Sequence, residues 1–121
     1  MLGNGEFTFT GDMNLNAQAK LGPTALLRVV DDQSEVRVVV GSTRAQCLDQ
    51  AIFRQVGIEP LEQQIVAVKS TVHFRADFDP IGAETLVVIA PGINPCLLKD
   101  LPYKRLRSGI RLEPLGPEFK L

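Results

Sequence analysis

The sequence is poor in the residues that usually mark a recognition surface or a metal site. Its 121 residues include no Trp, one Tyr, two Cys and one His, so we expect no aromatic-rich binding surface. Cys47 and Cys96 are too few and too far apart for a disulfide scaffold or a paired-thiolate zinc site. Each is followed by leucine, and we predict small, buried side chains at both positions in preference to reactive or metal-binding ones.

The sequence also lacks a charge excess and a long apolar run. Thirteen basic against fourteen acidic side chains leave a formal net charge of −1, so no overall field attracts nucleic acid or an acidic membrane. No apolar run approaches the roughly 20 residues that cross a bilayer. The N-terminus has neither the basic nor the apolar region of a secretory signal. We therefore expect a soluble, cytoplasmic protein without nucleic-acid or membrane partners.

What the sequence does contain is enough apolar material for one core. Apolar residues make up 45% of the chain and charged residues 22%, as in ordinary globular proteins. A chain of 121 residues has about the length of one domain. We expect residues 1–121 to form a single domain.

Two apolar stretches joined by a short polar link predict an antiparallel hairpin. Residues 24–30 and 35–40 are rich in β-branched and leucine side chains, and the link between them begins at Asp31. Alternation over residues 6–10 predicts an earlier, half-buried strand. The Asn- and Gly-rich residues 11–20 predict a loop between that strand and the hairpin.

A change of hydrophobic period then predicts a short helix over residues 50–56. Asp49 is placed to cap this helix by accepting hydrogen bonds from backbone N–H groups of its first turn. Gly57 is placed to end the helix in a left-handed conformation. The apolar side of the helix would be formed by Ile52, Phe53 and Val56.

Two further apolar runs, residues 65–68 and 85–90, predict buried strands on either side of a second helix. Ser70 or Thr71 would cap that helix, and Pro80 would stop it. Strand, helix and strand so close together indicate a right-handed crossover between parallel strands. The predicted fold class is therefore α/β or α+β: a mixed sheet of about five strands, with an antiparallel hairpin, a βαβ crossover and two short helices packed on it.

Residues 91–121 are predicted to form an irregular tail, because Pro95, Pro102, Pro114 and Pro117 prevent long elements. The tail carries a basic cluster: Lys104, Arg105, Arg107 and Arg111. Such a cluster is typical of a solvated face or of ion pairs with acidic neighbours. We do not interpret it as a nucleic-acid surface, since only Tyr103 is available for stacking.

Chemistry is best supported between residues 69 and 78. Ligands of open α/β sheets bind where a strand ends and a helix begins, and the free N–H groups of the helix favour anions. The candidate residues, which we call the junction, are Lys69, Ser70, His73 and Arg75. Together they could hold a carboxylate or a phosphate. The alternatives are a solvated lysine, a capping serine and a surface pair between His73 and Asp77.

The junction is a poor metal site. A catalytic zinc needs about three protein ligands, and His73 with Asp77 supplies only two. Asp79 would be the third, but Pro80 beside it makes a suitable geometry doubtful. We therefore expect no metal site and no cofactor in this chain.

The run VAVKSTVHFRADFDPIGAETLVVIAPG, which begins at Val66, resembles the C-terminal domain of the microcystinase C (MlrC) family of zinc metallopeptidases. Its most specific part is the core Lys-Ser-x-x-His-Phe-Arg. Shorter segments of the same family surround the run in the right order: LGPTALL from Leu21, STRAQ from Ser42, LDQ from Leu48, GIEP from Gly57 and LPYKRLR from Leu101. The resemblance covers nearly the whole chain.

This resemblance implies one domain of a peptide-hydrolysing enzyme whose larger N-terminal domain supplies the zinc ligands. That N-terminal domain is absent from this sequence, so zinc is implied for the whole family protein and none of its ligands falls on this chain. By similarity, Lys69, Ser70, His73 and Arg75 would face the cleft between the domains and contact the peptide substrate or support the metal site. We expect this chain alone to be inactive, with the absent domain as its partner.

Two other functions stay open at this point. The chain could be a free-standing module that binds a small anion or a peptide carboxylate at residues 69–75. It could also be a structural or oligomerisation domain, which would show an exposed apolar patch paired across a two-fold axis in a homo-oligomer.

Overall fold

The computed structural model describes residues 1–70, 72–90, 92 and 97–120. The chain divides into two compact units, Met1–Thr85 and Leu86–Leu121, and each unit is described by itself. No helix in the described residues is long and apolar enough to cross a membrane.

The predicted hairpin is the largest element of the first unit. Strands β4 (Thr24–Val30) and β5 (Glu35–Gly41) pair in antiparallel orientation along their whole length. In the turn between them, the Asp31 carboxylate accepts hydrogen bonds from the backbone N–H groups of Gln33 and Ser34 at 2.8 and 2.7 Å. The hydrogen bond from Gln33 is the main reason why the pKa of Asp31 is lowered. The prediction of the hairpin is confirmed.

Three short strands complete two antiparallel sheets. β1 (Leu2–Gly3) pairs with β4, so the larger sheet has the order β1–β4–β5. β2 (Glu6–Thr8) and β3 (Gln18–Lys20) form the smaller sheet. β2 lies where alternation predicted a strand. β3 lies inside the segment predicted as a loop. The sequence did not predict this strand, because Gln-Ala-Lys carries no strand preference of its own.

The predicted βαβ crossover is not confirmed. Residues 65–68 and 85–90, which the structure describes, form no strand, and every strand pair that it describes is antiparallel. Ile65 is 87% exposed and Val88 is 79% exposed. Both runs have strand-forming sequences, but a strand also needs a neighbouring edge for its N–H and C=O groups. The fold therefore combines short helices with antiparallel sheets.

The first helix lies within the predicted range. α1 (Ala51–Arg54) begins two residues after Asp49, whose Oδ1 accepts a hydrogen bond from the Ala51 N–H at 2.7 Å. Gly57 has a φ of +77°, a left-handed conformation that suits glycine. Asp49 thus accepts a hydrogen bond from the first turn, as predicted, although the N-cap residue itself is Gln50. The helix is shorter than predicted and ends at Arg54, and Gly57 follows it in the predicted left-handed conformation.

The second helix begins later than predicted. α2 (Arg75–Phe78) has Phe74 as its N-cap, so Ser70 lies too far from the helix to cap it. Thr71, the other predicted cap, lies outside the described residues. Phe78 is buried and packs edge-on against Phe53, with 6.0 Å between the ring centroids.

The first unit is organised around the buried carboxylate of Asp49, which is 1% exposed. Besides the Ala51 N–H, it accepts hydrogen bonds from the backbone N–H groups of Thr10 and Gly11 at 2.8 and 2.7 Å. A buried carboxylate is tolerated when such charge-assisted hydrogen bonds replace its water. Asp49 thereby joins the loop after β2 to the start of α1.

Asp77 supports the same region from α2. Its Oδ2 accepts a hydrogen bond from the Gln50 N–H at 2.6 Å, and the Gln50 side-chain amide donates to the Asp77 carbonyl at 2.6 Å. A Cβ atom at Gly11 would lie 3.1 Å from Asp77 Cγ and 3.2 Å from Asp49 Oδ2. Glycine therefore lets the loop approach both carboxylates closely.

The described part of the second unit contains a 3₁₀ turn, Leu98–Asp100, and one β-bridge between Arg111 and Glu118. The Arg111 guanidinium also donates to the Gly116 carbonyl at 2.6 Å. The extent of the predicted tail, residues 91–121, and the single-domain organisation stay predictions. Cys96 lies outside the described residues.

We predict that Asp49→Ala lowers the free energy of unfolding by about 3 kcal/mol, because it leaves three backbone N–H groups without their acceptor in a buried site. Urea denaturation followed by circular dichroism measures this change. Asp31→Ala is the matched control, since it also removes a carboxylate that accepts two backbone hydrogen bonds, but from an exposed turn. An equal loss in both variants would contradict the central role of Asp49.

Candidate functional site

The junction lies in irregular backbone rather than at a strand tip. Residues 65–70 form neither strand nor helix, and α2 begins only at Arg75. Lys69 and Ser70 therefore do not stand at the start of a helix, and the predicted anion site made from helix N–H groups is not formed by them. What the junction can do depends on its side chains.

Ser70 and His73 are joined by a residue that we did not predict as part of the site. The side-chain Nε2 of Gln46 donates to Ser70 Oγ at 3.1 Å, and Gln46 Oε1 lies 2.9 Å from His73 Nδ1. All three residues are exposed or half-buried. A polar side chain in a loop carries no signal of such a long-range contact, so sequence reasoning could not single out Gln46.

Arg75 turns toward its own helix. Its guanidinium forms an ion pair with Asp79 at 3.2 Å and lies over the Phe74 ring, 5.3 Å from the centroid. Asp79 also accepts a hydrogen bond from the Thr85 hydroxyl at 2.9 Å. Arg75 is thus held by neighbours within α2 and the following turn, and no hydrogen bond between described residues joins it to Ser70 or His73.

His73 and Asp77 do not form the pair that their spacing suggested. His73 precedes α2, so the geometry that brings residues four apart together on a helix does not apply to it. Instead, His73 contacts Gln46, and Asp77 accepts the Gln50 N–H. The two side chains therefore contact different residues and not each other.

The residues around His73 do not fit a zinc site. The carboxylates that would have to join it are engaged elsewhere, Asp77 by Gln50 and Asp79 by Arg75 and Thr85. Over the described ranges, no three His, Cys, Asp or Glu side chains are grouped so as to hold a metal ion.

Lys69 lines a mainly apolar groove of about 400 Å³. The groove runs between β5, α1 and residues 67–69, and Arg37 is the other cationic residue that lines it. Arg37 is engaged by Glu35 at 3.4 Å and by Gln63 at 2.6 Å. No ion pair between described residues involves Lys69, so its ammonium is available for a carboxylate or carbonyl group.

Cys47 lines the same groove and is half-buried. Burial is the main cause that raises the pKa of its thiol to about 11, and the negative charges of Asp49 and Asp77 act in the same direction. The protonated thiol is a poor nucleophile and a poor metal ligand. Cys47 therefore behaves as a small apolar side chain of the groove wall.

The chain matches a known protein family over most of its length. A family model described as MlrC C-terminus matches residues 1–105 of the chain. Microcystinase C from Sphingomonas sp is 35% identical to the chain over 51 residues, an alignment that covers 42% of this chain and 10% of Microcystinase C. The aligned part thus spans about a tenth of that relative's length. No solved structure matches the chain.

We predict that Cys47 is protected from alkylation in the folded protein. A rise in thiol pKa from 9.0 to about 11 lowers the thiolate fraction at pH 8 about 100-fold. Iodoacetamide labelling of a Cys96→Ser variant, with and without urea and followed by mass spectrometry, measures the difference. Equal rates in both conditions would contradict the prediction.

The same pKa shift has a consequence for stability. The folded protein retains the Cys47 proton between about pH 9 and pH 11, where the unfolded chain loses it. Stability contributed by the buried thiol is therefore present below pH 9 and declines as the pH rises through this window. A Cys47→Ala variant, which lacks the thiol, is the control for this pH dependence.

Proposed function

Because this chain belongs to the family of MlrC C-terminal domains, we propose that it serves as the C-terminal domain of an MlrC-like zinc metallopeptidase. In this proposal a separate N-terminal domain holds the catalytic zinc, and this chain completes the cleft in which a peptide is hydrolysed. The chain alone is inactive. The junction lines the cleft, and an apolar face of the hairpin docks against the other domain.

The observation that carries the proposal is the uncovered apolar face of the β4–β5 hairpin. Directly paired residues of antiparallel strands place their side chains on the same side of the sheet. Three such pairs form what we call the apolar face: Ala25 with Val40, Leu27 with Val38, and Val29 with Val36. Apart from Ala25, which is half-buried, these side chains are 41% to 62% exposed. A continuous exposed patch of this kind is typical of a protein contact surface.

The opposite face of the hairpin is polar at the same end. Arg28 donates to Glu35 at 2.7 Å, and Arg37 lies 3.4 Å from the same carboxylate. The hydrogen bond from Arg28 is the main cause of the lowered pKa of Glu35. This contrast supports one side of the hairpin as the solvated surface and the other as the surface that a partner covers.

The family comparison supports a partner within the same protein. The aligned part is about a tenth of the length of Microcystinase C, so most of such a relative lies outside the region that resembles this chain. In the assembled protein, we propose that Lys69 receives a carboxylate or carbonyl of the peptide. Ser70 and His73 supply further hydrogen-bonding groups of the junction.

A second copy of the chain is the competing occupant of the apolar face. The face carries no charge, so nothing on it repels an identical face across a two-fold axis. This alternative makes the chain a structural or oligomerisation domain.

We predict that the chain alone, with added zinc, hydrolyses no peptide, because the part of the chain that the structure describes brings together no catalytic zinc site. A fluorogenic peptide assay of the purified chain measures this, with His73→Ala as the comparison. Zinc-dependent turnover by the chain that disappears in His73→Ala would overturn the proposal and place the catalytic site here.

Docking through the apolar face predicts a sharp difference between two neighbouring substitutions. Val29→Lys places a charge on this face and should weaken binding to the zinc domain of an MlrC-like protein at least about tenfold, a loss of about 1.4 kcal/mol. Val30→Lys is the matched control, since Val30 is 57% exposed, against 62% for Val29, but pairs with Glu35 on the polar face. Isothermal titration calorimetry measures the affinities.

Sedimentation of the same variants separates the two occupants. If Val29→Lys abolishes self-association of the chain while binding to the zinc domain is unchanged, the apolar face belongs to a homo-oligomer and the docking proposal is wrong. If both variants bind the zinc domain equally and neither alters self-association, neither partner uses this face.

A further inference from the structure

We propose that Gln46 is a positioning residue that holds His73 in the tautomer with hydrogen on Nδ1, leaving Nε2 as the proton-accepting atom that the junction offers to a substrate. The assignment of the ring follows from the contacts of Gln46. The use of Nε2 toward a peptide rests on the proposed function.

The geometry fixes the role of each atom. Gln46 Oε1 lies 2.9 Å from His73 Nδ1, while Gln46 Nε2 donates to Ser70 Oγ at 3.1 Å. A carbonyl oxygen only accepts hydrogen bonds, so Nδ1 must carry the hydrogen that joins it to Gln46. In the neutral ring the lone pair is then on Nε2.

Gln46 is held in place by a segment that is anchored at both ends. This segment, residues 42–49, which we call the strap, connects β5 to α1 and forms neither strand nor helix. At one end, the Thr43 N–H donates to the Leu21 carbonyl at 3.1 Å. At the other end, Asp49 is buried among the hydrogen bonds described above. The strap therefore presents Gln46 from a fixed frame.

The contact with Ser70 orients the amide of Gln46. Ser70 Oγ accepts from the amide nitrogen, which turns the amide oxygen toward His73. Because the serine oxygen is already an acceptor in this pair, its own hydrogen remains available to donate elsewhere. The junction thus combines an acceptor, His73 Nε2, with a hydroxyl donor, Ser70, set by one glutamine.

Gln46 takes no part in a chemical step itself. Its role is to orient the His73 ring. A histidine accepts a proton only through the nitrogen that bears the lone pair, and its other nitrogen determines which one that is. Gln46 would therefore act through His73, because its amide oxygen, a neutral hydrogen-bond acceptor, determines which ring nitrogen carries the hydrogen.

His73 is the chain's single histidine, so the tautomer can be measured without assignment ambiguity. Long-range ¹H–¹⁵N correlation spectra of the ¹⁵N-labelled full chain, recorded at a pH where the ring is neutral, distinguish a protonated Nδ1 from a protonated Nε2. We expect the Nδ1–H form to predominate. Predominance of the Nε2–H form would overturn the inference.

Three variants test the cause. Gln46→Ala should lower the ratio of Nδ1–H to Nε2–H about fivefold, as expected when one hydrogen bond is lost. Gln46→Glu keeps an acceptor opposite Nδ1 and should retain the Nδ1–H form. Ser70→Ala leaves that acceptor in place and should change the ratio less than Gln46→Ala. An unchanged ratio in Gln46→Ala, in a protein whose backbone amide spectrum shows the native fold, would show that Gln46 does not set the tautomer.

An activity measurement on the assembled peptidase separates this inference from the proposed function. If Gln46→Ala lowers kcat with little change in KM, and Gln46→Glu restores it, both hold. If the tautomer responds as expected but His73→Ala leaves peptide hydrolysis unchanged, the geometric inference stands and the role of the junction in the cleft is wrong.

Discussion

The buried carboxylate of Asp49 is the interaction on which the first unit depends. Backbone N–H groups from the loop after β2 and from the first turn of α1 donate hydrogen bonds to this carboxylate in place of water. Few apolar side chains are buried in the described residues, Val56, Ile58 and Phe78 among them. Because the apolar core is so small, packing alone does not fix the positions of these segments. The charge-assisted hydrogen bonds to Asp49 fix them instead.

The same network reaches the junction through the strap. Asp49 fixes one end of residues 42–49, and Asp77 ties α2 to the start of α1. The hydrogen bonds of Asp49 and Asp77 therefore help to position both Gln46 and the segment that contains Ser70 and His73. In the proposed function, such prior orientation of the junction reduces the conformational entropy that is lost when a ligand binds.

Local interactions explain what the sequence could predict. The hairpin, the hydrogen bond from the first turn of α1 to Asp49 and the left-handed Gly57 each depend on residues close in sequence, and each is found. Residues 65–68 carry the same strand preference, but a strand also needs an edge to pair with, and preference does not supply one. The contacts of Gln46 with Ser70 and His73 join segments 24 and 27 residues apart, so no local pattern encodes them.

The energetics of the apolar face favour a partner in the same polypeptide over a separate molecule. When the apolar face meets an identical face, ten half-exposed side chains become buried, five from each copy, and contribute about 1 kcal/mol each, or about 10 kcal/mol together. Association of two free molecules costs on the order of 4–15 kcal/mol in lost freedom, a cost comparable to that gain. A linked domain loses much less, because the linker keeps the two surfaces at a high effective concentration. In the proposed assembly, a linked neighbouring domain therefore retains more of the gain from the apolar face than a free second copy does.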